Sequence, residues 1–469
     1  MCTMRDTRFV VVMAGLTALA GCALNAPPTP SDLRQQANPH VAVPAGFKAQ
    51  GERPAAPVVG QWLSSFNDRS LNALVDEALA YNADLQVAAA RVEQAGGYVK
   101  VASGALLPSV GVAAMGGGKS GGSGGLDGIW LNASLELDVW GRLRYGQAAA
   151  QEQAAAASAD YAYARQSLAA TVAKSWFLAI EAGQQRAIAE EAVNAASTLL
   201  RIAQERFRVG NGNEQAVMQA RVSLSSARDG LRQIELAREQ SLRALELLLG
   251  RYPAAEIAVA EGFPTLPSAA PVGMPSELLE RRPDVVAAER RVAAAFNRVG
   301  EAQAAQLPRI SLTAGGSNVS SDLIVLKDTS NPIWSVGANL IAPIYQGGAL
   351  RAQVEIRTAE QKQAIAEFAR VGQRAFAEVE NALAAENVLR DRESILAVAV
   401  RDSARTLELA QVQFRVGSVD LRSVEQSQLA LYSARLALLR IQSERLAQRV
   451  NLYLALGGSF EPTLTTAAR

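Results

Sequence analysis

The chain has 469 residues, 49% hydrophobic and 19% charged, enough to bury a large core or several smaller ones. Its 46 basic residues against 45 acidic ones leave a formal net charge of +1, which gives no ground to expect a nucleic-acid partner. The only cysteines are Cys2 and Cys22 and the only histidine is His40, so the body of the chain can build no disulfide framework, Cys-based zinc site or His-dependent triad. An enzyme is therefore not expected, and neither is a metal or other cofactor.

Residues 1–21 read as a signal peptide. Arg5 and Arg8 supply a positive region, and 9–20 supply an apolar stretch of 12 residues, too short to span a membrane as a helix. The stretch ends in Leu19-Ala20-Gly21-Cys22, which resembles a bacterial lipobox, where the cysteine becomes the acylated first residue of the mature protein. Several acyl chains, at about 0.8 kcal/mol per buried methylene, anchor stably where one does not. By resemblance to sorted lipoproteins, Ala23 rather than Asp after that cysteine points to the outer membrane. Residues 22–60, rich in proline, read as an acylated extended tether.

Two similar segments follow, 61–250 and 276–457, separated by a proline-rich equatorial linker at 251–275 and followed by a short tail at 458–469. In the first, strands are expected at about 106–116 and 128–140. Ile129, Leu131, Ala133, Leu135, Leu137 and Val139 alternate there with Trp130, Asn132, Ser134, Glu136, Asp138 and Trp140, a strand apolar on one face and polar on the other. Residues 144–206 then run without proline, about 95 Å if helical throughout, and 214–249 form the return helix. In the second segment, a helix is expected at 276–305 and strands at about 307–316 and 333–345. The stretch 329–350 carries no charge, yet Pro332, Pro343 and the alternation from Ser335 to Ile344 favour a strand over a membrane helix. Each hairpin carries a Gly/Ser-rich or polar loop, at 116–125 and 317–331, of the kind found on the outer side of membrane barrels.

The likeness of the two segments is an internal duplication. Asn82-Ala83-Asp84-Leu85 returns as Arg282-Pro283-Asp284-Val285, Leu107-Pro108 as Leu307-Pro308, and Phe207-Arg208-Val209-Gly210 as Phe414-Arg415-Val416-Gly417. After each of the last pair the heptad positions Val217, Leu224 and Leu231 correspond to Val424, Leu431 and Leu438, so each turn joins helices that pair as a coiled coil. The unit is helix–strand–strand–helix–helix. Four strands of this length suit a tilted bilayer crossing but cannot close a barrel, which needs about eight, so the strands are expected to pool with other copies. The alternative is a soluble sheet covered by helices.

With the lipobox, the duplicated halves, ERRPDVVAAERRVAAA, LPRISLTAGG, IAPIYQGGALRAQV and the FRVG turns, the chain resembles the TolC-like outer-membrane efflux factors, within them the lipoproteins that serve resistance-nodulation-division pumps. The resemblance implies a mainly α chain with membrane β, a homotrimer with a 12-stranded outer-membrane β-barrel continued by a long periplasmic α-helical barrel. It implies a passive exit duct for drugs or other small solutes, embedded in outer-membrane lipid and fed by a periplasmic adaptor protein and an inner-membrane pump. The turn residues Arg208, Val209, Gly210 and Asn211, with Arg415, Val416, Gly417 and Ser418, would contact the adaptor, and Cys22 would carry the lipid. Relatives often place acidic residues six and nine positions after the turn glycine as a constriction ring. Here Ser423 and Gln426 stand at those positions, and the nearest carboxylates are Asp420 and Glu425, so these four are the candidate constriction residues and the existence of an acidic gate ring stays open.

Two alternatives stay open at this level. A type I secretion duct belongs to the same family, and lipidation argues against it; a periplasmic coiled-coil scaffold lipoprotein would leave the strands without a purpose. Only Met115, Met218 and Met274 remain after processing, so no methionine-rich path points to copper export.

Overall fold

The computed structural model describes residues 24–41, 43–51, 60–115, 126–269, 271–321 and 333–460. The signal peptide, Cys22, the loop at 116–125, most of the second hairpin loop and the end of the tail lie outside them. The chain divides into two compact units. One comprises Met1–Val41, Ala90–Asp160 and Asp284–Val371; the other comprises Ala42–Ala89, Tyr161–Pro283 and Gly372–Arg469.

After α1 (Pro30–Ala37), the first repeat runs α2 (Arg69–Tyr81), α3 (Ala83–Gly104), β1 (Ser109–Met115), β2 (Leu126–Leu137), α4 (Arg142–Arg208) and α5 (Glu214–Leu248). The second runs α6 (Pro275–Arg281), α7 (Pro283–Ala304), β3 (Arg309–Ser321), β4 (Ile333–Ile341), α8 (Ala349–Arg415) and α9 (Leu421–Ala455). Helices α4 and α8 are each 67 residues, about 100 Å at 1.5 Å per residue.

Three local expectations are revised. The described part of the tether is not extended throughout, because Thr29 caps α1 and Pro30 occupies its first position, where a missing N–H costs nothing. Leu33 and Phe47 are buried, and the Glu380 carboxylate accepts the backbone N–H of Lys48 and of Ala49, each at 2.8 Å. The helix expected at 276–305 is two helices. Pro283 holds Arg282 extended, with φ −73° and ψ 122°. That Arg282 side chain is buried, pairs with Glu378 at 2.7 Å and donates to the Ala455 carbonyl at 3.2 Å. The strands also shift their ends. Strand β2 stops at Leu137 because the Asp138 carboxylate caps α4, accepting from Leu143 N at 2.9 Å and Arg144 N at 3.0 Å. Strand β4 stops at Ile341, two residues before Pro343, whose nitrogen has no proton for a ladder. Strand β3 extends to Ser321 because β2 begins at Leu126 and pairs with it there.

In the first unit the four strands form one antiparallel sheet in the order β1-β2-β3-β4. Directly paired residues share a face, so the register decides which side chains lie together. Val112 faces Leu131, which faces Gly316; Leu135 faces Leu312, which faces Ala338; Ala314 faces Val336. One face is therefore a continuous apolar field. The other carries Ser109, Ser134, Asn132, Thr313 and Ser335, with the Ser109 and Ser134 hydroxyls 2.8 Å apart. No helix of the described chain covers the apolar field, where Val112 is 70% and Val336 88% exposed. This disfavours the soluble covered sheet. Strands β1 and β4 are open edges.

The second unit has a helical core around Trp176, Phe177, Ile180, Leu242 and Leu245. Asp68 ties its entry, capping α2 through Leu71 N at 3.0 Å and accepting from Trp176 Nε1 at 2.8 Å.

Candidate functional site: the paired helix turns

Both FRVG turns belong to the second unit and close the same way. Gly210 and Gly417 take φ +76° and +80°, the left-handed conformation that a side chain disfavours. Gly210 N donates to Phe207 O at 3.1 Å and Asn211 N to Arg206 O at 2.8 Å; Gly417 N donates to Phe414 O at 3.2 Å and Ser418 N to Gln413 O at 2.9 Å. These bonds satisfy the last carbonyls of α4 and α8. The following helices are capped by Asn213, which accepts from Ala216 N at 2.8 Å, and by Asp420, which accepts from Ser423 N at 3.0 Å. With the backbone satisfied internally, Arg208, Val209, Gly210 and Asn211 and Arg415, Val416, Gly417 and Ser418 all stand exposed.

Behind the turns the two hairpins share one core. Leu199 and Ala203 of α4, Val217 and Ala220 of α5, Ala410 and Phe414 of α8 and Leu421 and Val424 of α9 pack together. The heptad positions therefore bury across hairpins as well as within them. A residue that motif reading passed over joins the turns directly. The Arg206 guanidinium lies 3.9 Å from the centre of the Phe414 ring, and its Nη2 donates to Phe414 O at 3.1 Å. Its counterpart in the repeat is Gln413, so this staple exists once, and comparing the two turns is the signal that would have found it. The matching phenylalanines are consequently unlike: Phe414 is buried and Phe207 is 50% exposed.

The four candidate constriction residues do not form one group. Asp420 spends its carboxylate on the helix cap, where the Ser423 hydroxyl and backbone N–H hold its carboxyl below the usual carboxylate range. Glu425 turns inward and is buried, with Ser223 Oγ of α5 donating to it at 3.3 Å; burial pushes its carboxyl upward. Ser423 is partly exposed and Gln426 exposed. Among the described residues no cluster of His, Cys, Asp or Glu could hold a metal ion. No described helix is long and apolar enough to cross a membrane. The arrangement is thus a pair of hydrogen-bonded turns that presents two short polar-apolar loops.

The model of the outer membrane efflux protein family matches residues 74–251 and 274–458, one segment for each repeat. The chain belongs to the outer membrane efflux protein family. The cation efflux system protein CusC of Escherichia coli O6:H1 is 31% identical over 464 residues, 95% of this chain and 97% of that one. The pyoverdine export outer membrane protein OpmQ of Pseudomonas aeruginosa is 30% identical over 439 residues, 89% of this chain and 91% of that one. Among solved structures, the Campylobacter jejuni CmeC outer membrane channel superimposes with a TM-score of 0.84 at 25% identity, covering 91% of this chain and 94% of that one. The protein is an outer-membrane exit duct of an efflux system, a transport protein with membrane strands and a helical body that extends into the periplasm.

Proposed function

We propose that three copies of this efflux protein pool their strands into a 12-stranded barrel, and that their long helices continue it as a passive duct without catalysis. The observation that carries this reading is the open four-stranded sheet, with two free edges and an uncovered apolar field, on a chain of this family. An open edge in lipid leaves backbone donors and acceptors unpaired, a cost of several kcal/mol for each group, and closure with other copies removes it. Cys22 carries the acyl anchor. The exposed turn residues dock a periplasmic adaptor that connects the duct to an inner-membrane pump of the resistance-nodulation-division type. The repeated turn then has a purpose in each half: it reverses the chain and presents the contact.

A dye-efflux assay tests this reading. Cells that lack their own duct but retain adaptor and pump should regain efflux when this chain is supplied, and a cysteine at Ser418 should crosslink to the adaptor. Efflux without any adaptor contact at Ser418, or neither result in the presence of inserted protein, would overturn the assignment.

A further inference from the structure

In the second unit a cavity of about 340 Å³ opens among α4, α5 and α9, within the size range of small-molecule sites. Its wall is mostly aliphatic, built by Ala196, Leu199, Val222, Ala227 and Leu429. Glu425 lines the same cavity although it is only 7% exposed. Its partner is neutral, the Ser223 hydroxyl at 3.3 Å, and among the described residues no basic side chain makes an ion pair with it. Arg422 and Asp420 of the same helix act on it in opposite directions, and Tyr432 is the other titratable group on the wall. A carboxylate removed from water without a countercharge is costly, whereas a charge-assisted pair recovers much of that cost. In the single chain Val222 and Leu429 are 59% and 64% exposed, apolar surface that an occupant would cover.

We propose that this cavity is a binding site for a lipophilic organic cation. The Glu425 carboxylate holds the charge and Ser223 gives a second polar contact, while the apolar body lies against Leu199, Val222 and Leu429. A bare metal ion or a small ammonium would use the carboxylate and leave the aliphatic wall wet. A neutral apolar ligand would cover the wall and leave the carboxylate unpaired. Only the combination answers both features. The proposal is separate from adaptor docking, since none of the eight exposed turn residues lines the cavity.

The test uses full-length protein extracted from the outer membrane in detergent, with tetraphenylphosphonium and tetraphenylborate as probes of matched shape and opposite charge in equilibrium dialysis. Saturable tetraphenylphosphonium binding is expected, stronger than tetraphenylborate binding by about tenfold or more, the scale of one charged hydrogen bond. Glu425→Gln should lower tetraphenylphosphonium affinity by a similar factor, with oligomer size unchanged. Leu429→Trp, at an exposed wall position, should lower it by narrowing the mouth. Equal binding of the two ions, or wild-type tetraphenylphosphonium affinity in Glu425→Gln, would overturn the proposal. Should Glu425→Gln alter the oligomer, Leu429→Trp decides alone, and unchanged affinity there overturns it as well.

Discussion

A single arginine placed on one face or the other of β2 tests the assignment of its faces. Leu131 sits near the middle of β2 (Leu126–Leu137), faces Val112 on one side and Gly316 on the other, and belongs to the apolar field. The next residue, Asn132, points to the opposite face, between Gly111 and Gly315, where two glycines leave room for a longer side chain. An arginine on the lipid face near the bilayer midplane costs about 2–4 kcal/mol per copy, falling toward zero at the interfaces. At 1.4 kcal/mol per tenfold, Leu131→Arg should lower the assembly equilibrium roughly 30- to 700-fold for each copy. Asn132→Arg should assemble at wild-type level and change single-channel conductance instead. The assay is the amount of assembled, heat-modifiable protein in outer-membrane fractions, with conductance measured on what assembles. Equal loss from both variants, or a larger loss from Asn132→Arg, would refute the assigned faces.

Four further outcomes are expected. Gly210→Ala with Gly417→Ala places a Cβ at positive φ in open space, a local strain of about 1 kcal/mol, so assembled protein should persist while crosslinking of the adaptor to a cysteine at Ser418 is lost. Arg206→Ala removes the staple between the turns, and amide exchange at 414–418 should accelerate by about tenfold while exchange in β2 is unchanged, as read by mass spectrometry. Because the folded Asp420 carboxyl lies below its ordinary range, the contribution of its cap is present above the unfolded pKa of about 3.9 and is lost as pH falls through the lower folded value. Exchange protection at Ser423 should therefore hold from pH 7 to 5 and drop below about pH 4, and Asp420→Ala should abolish that dependence. Cys22→Ser should prevent incorporation of labelled fatty acid, and label in that variant would remove the proposed anchor.

The order of elements was legible because two signals survive without tertiary information: the strict alternation of Ile129 to Val139, and the return of FRVG with its heptads. What was not legible depends on partners far along the chain. Ser317–Ser321, polar apart from Val319, read as loop, and only pairing with Leu126–Trp130 makes them strand. The helical pattern of ERRPDVVAAERR ran across Pro283, whose restriction on Arg282 outweighed it. At the site, the turn glycines were visible in the repeated FRVG, whereas Asp420 read as a constriction carboxylate and the structure shows it to be a helix cap. Arg206 was not, since its ring partner Phe414 lies 208 residues away. The facing of Glu425 was also hidden, because a helix turns about 100° per residue and only the packed structure sets it toward Ser223.

The central claim is that the open sheet is completed by other copies of the same chain. The most direct measurement is the native mass of the protein extracted from outer membranes in mild detergent. A single species of three chains, stable until heated, is the expected result. A dispersed species of one chain that still supports efflux would contradict the account.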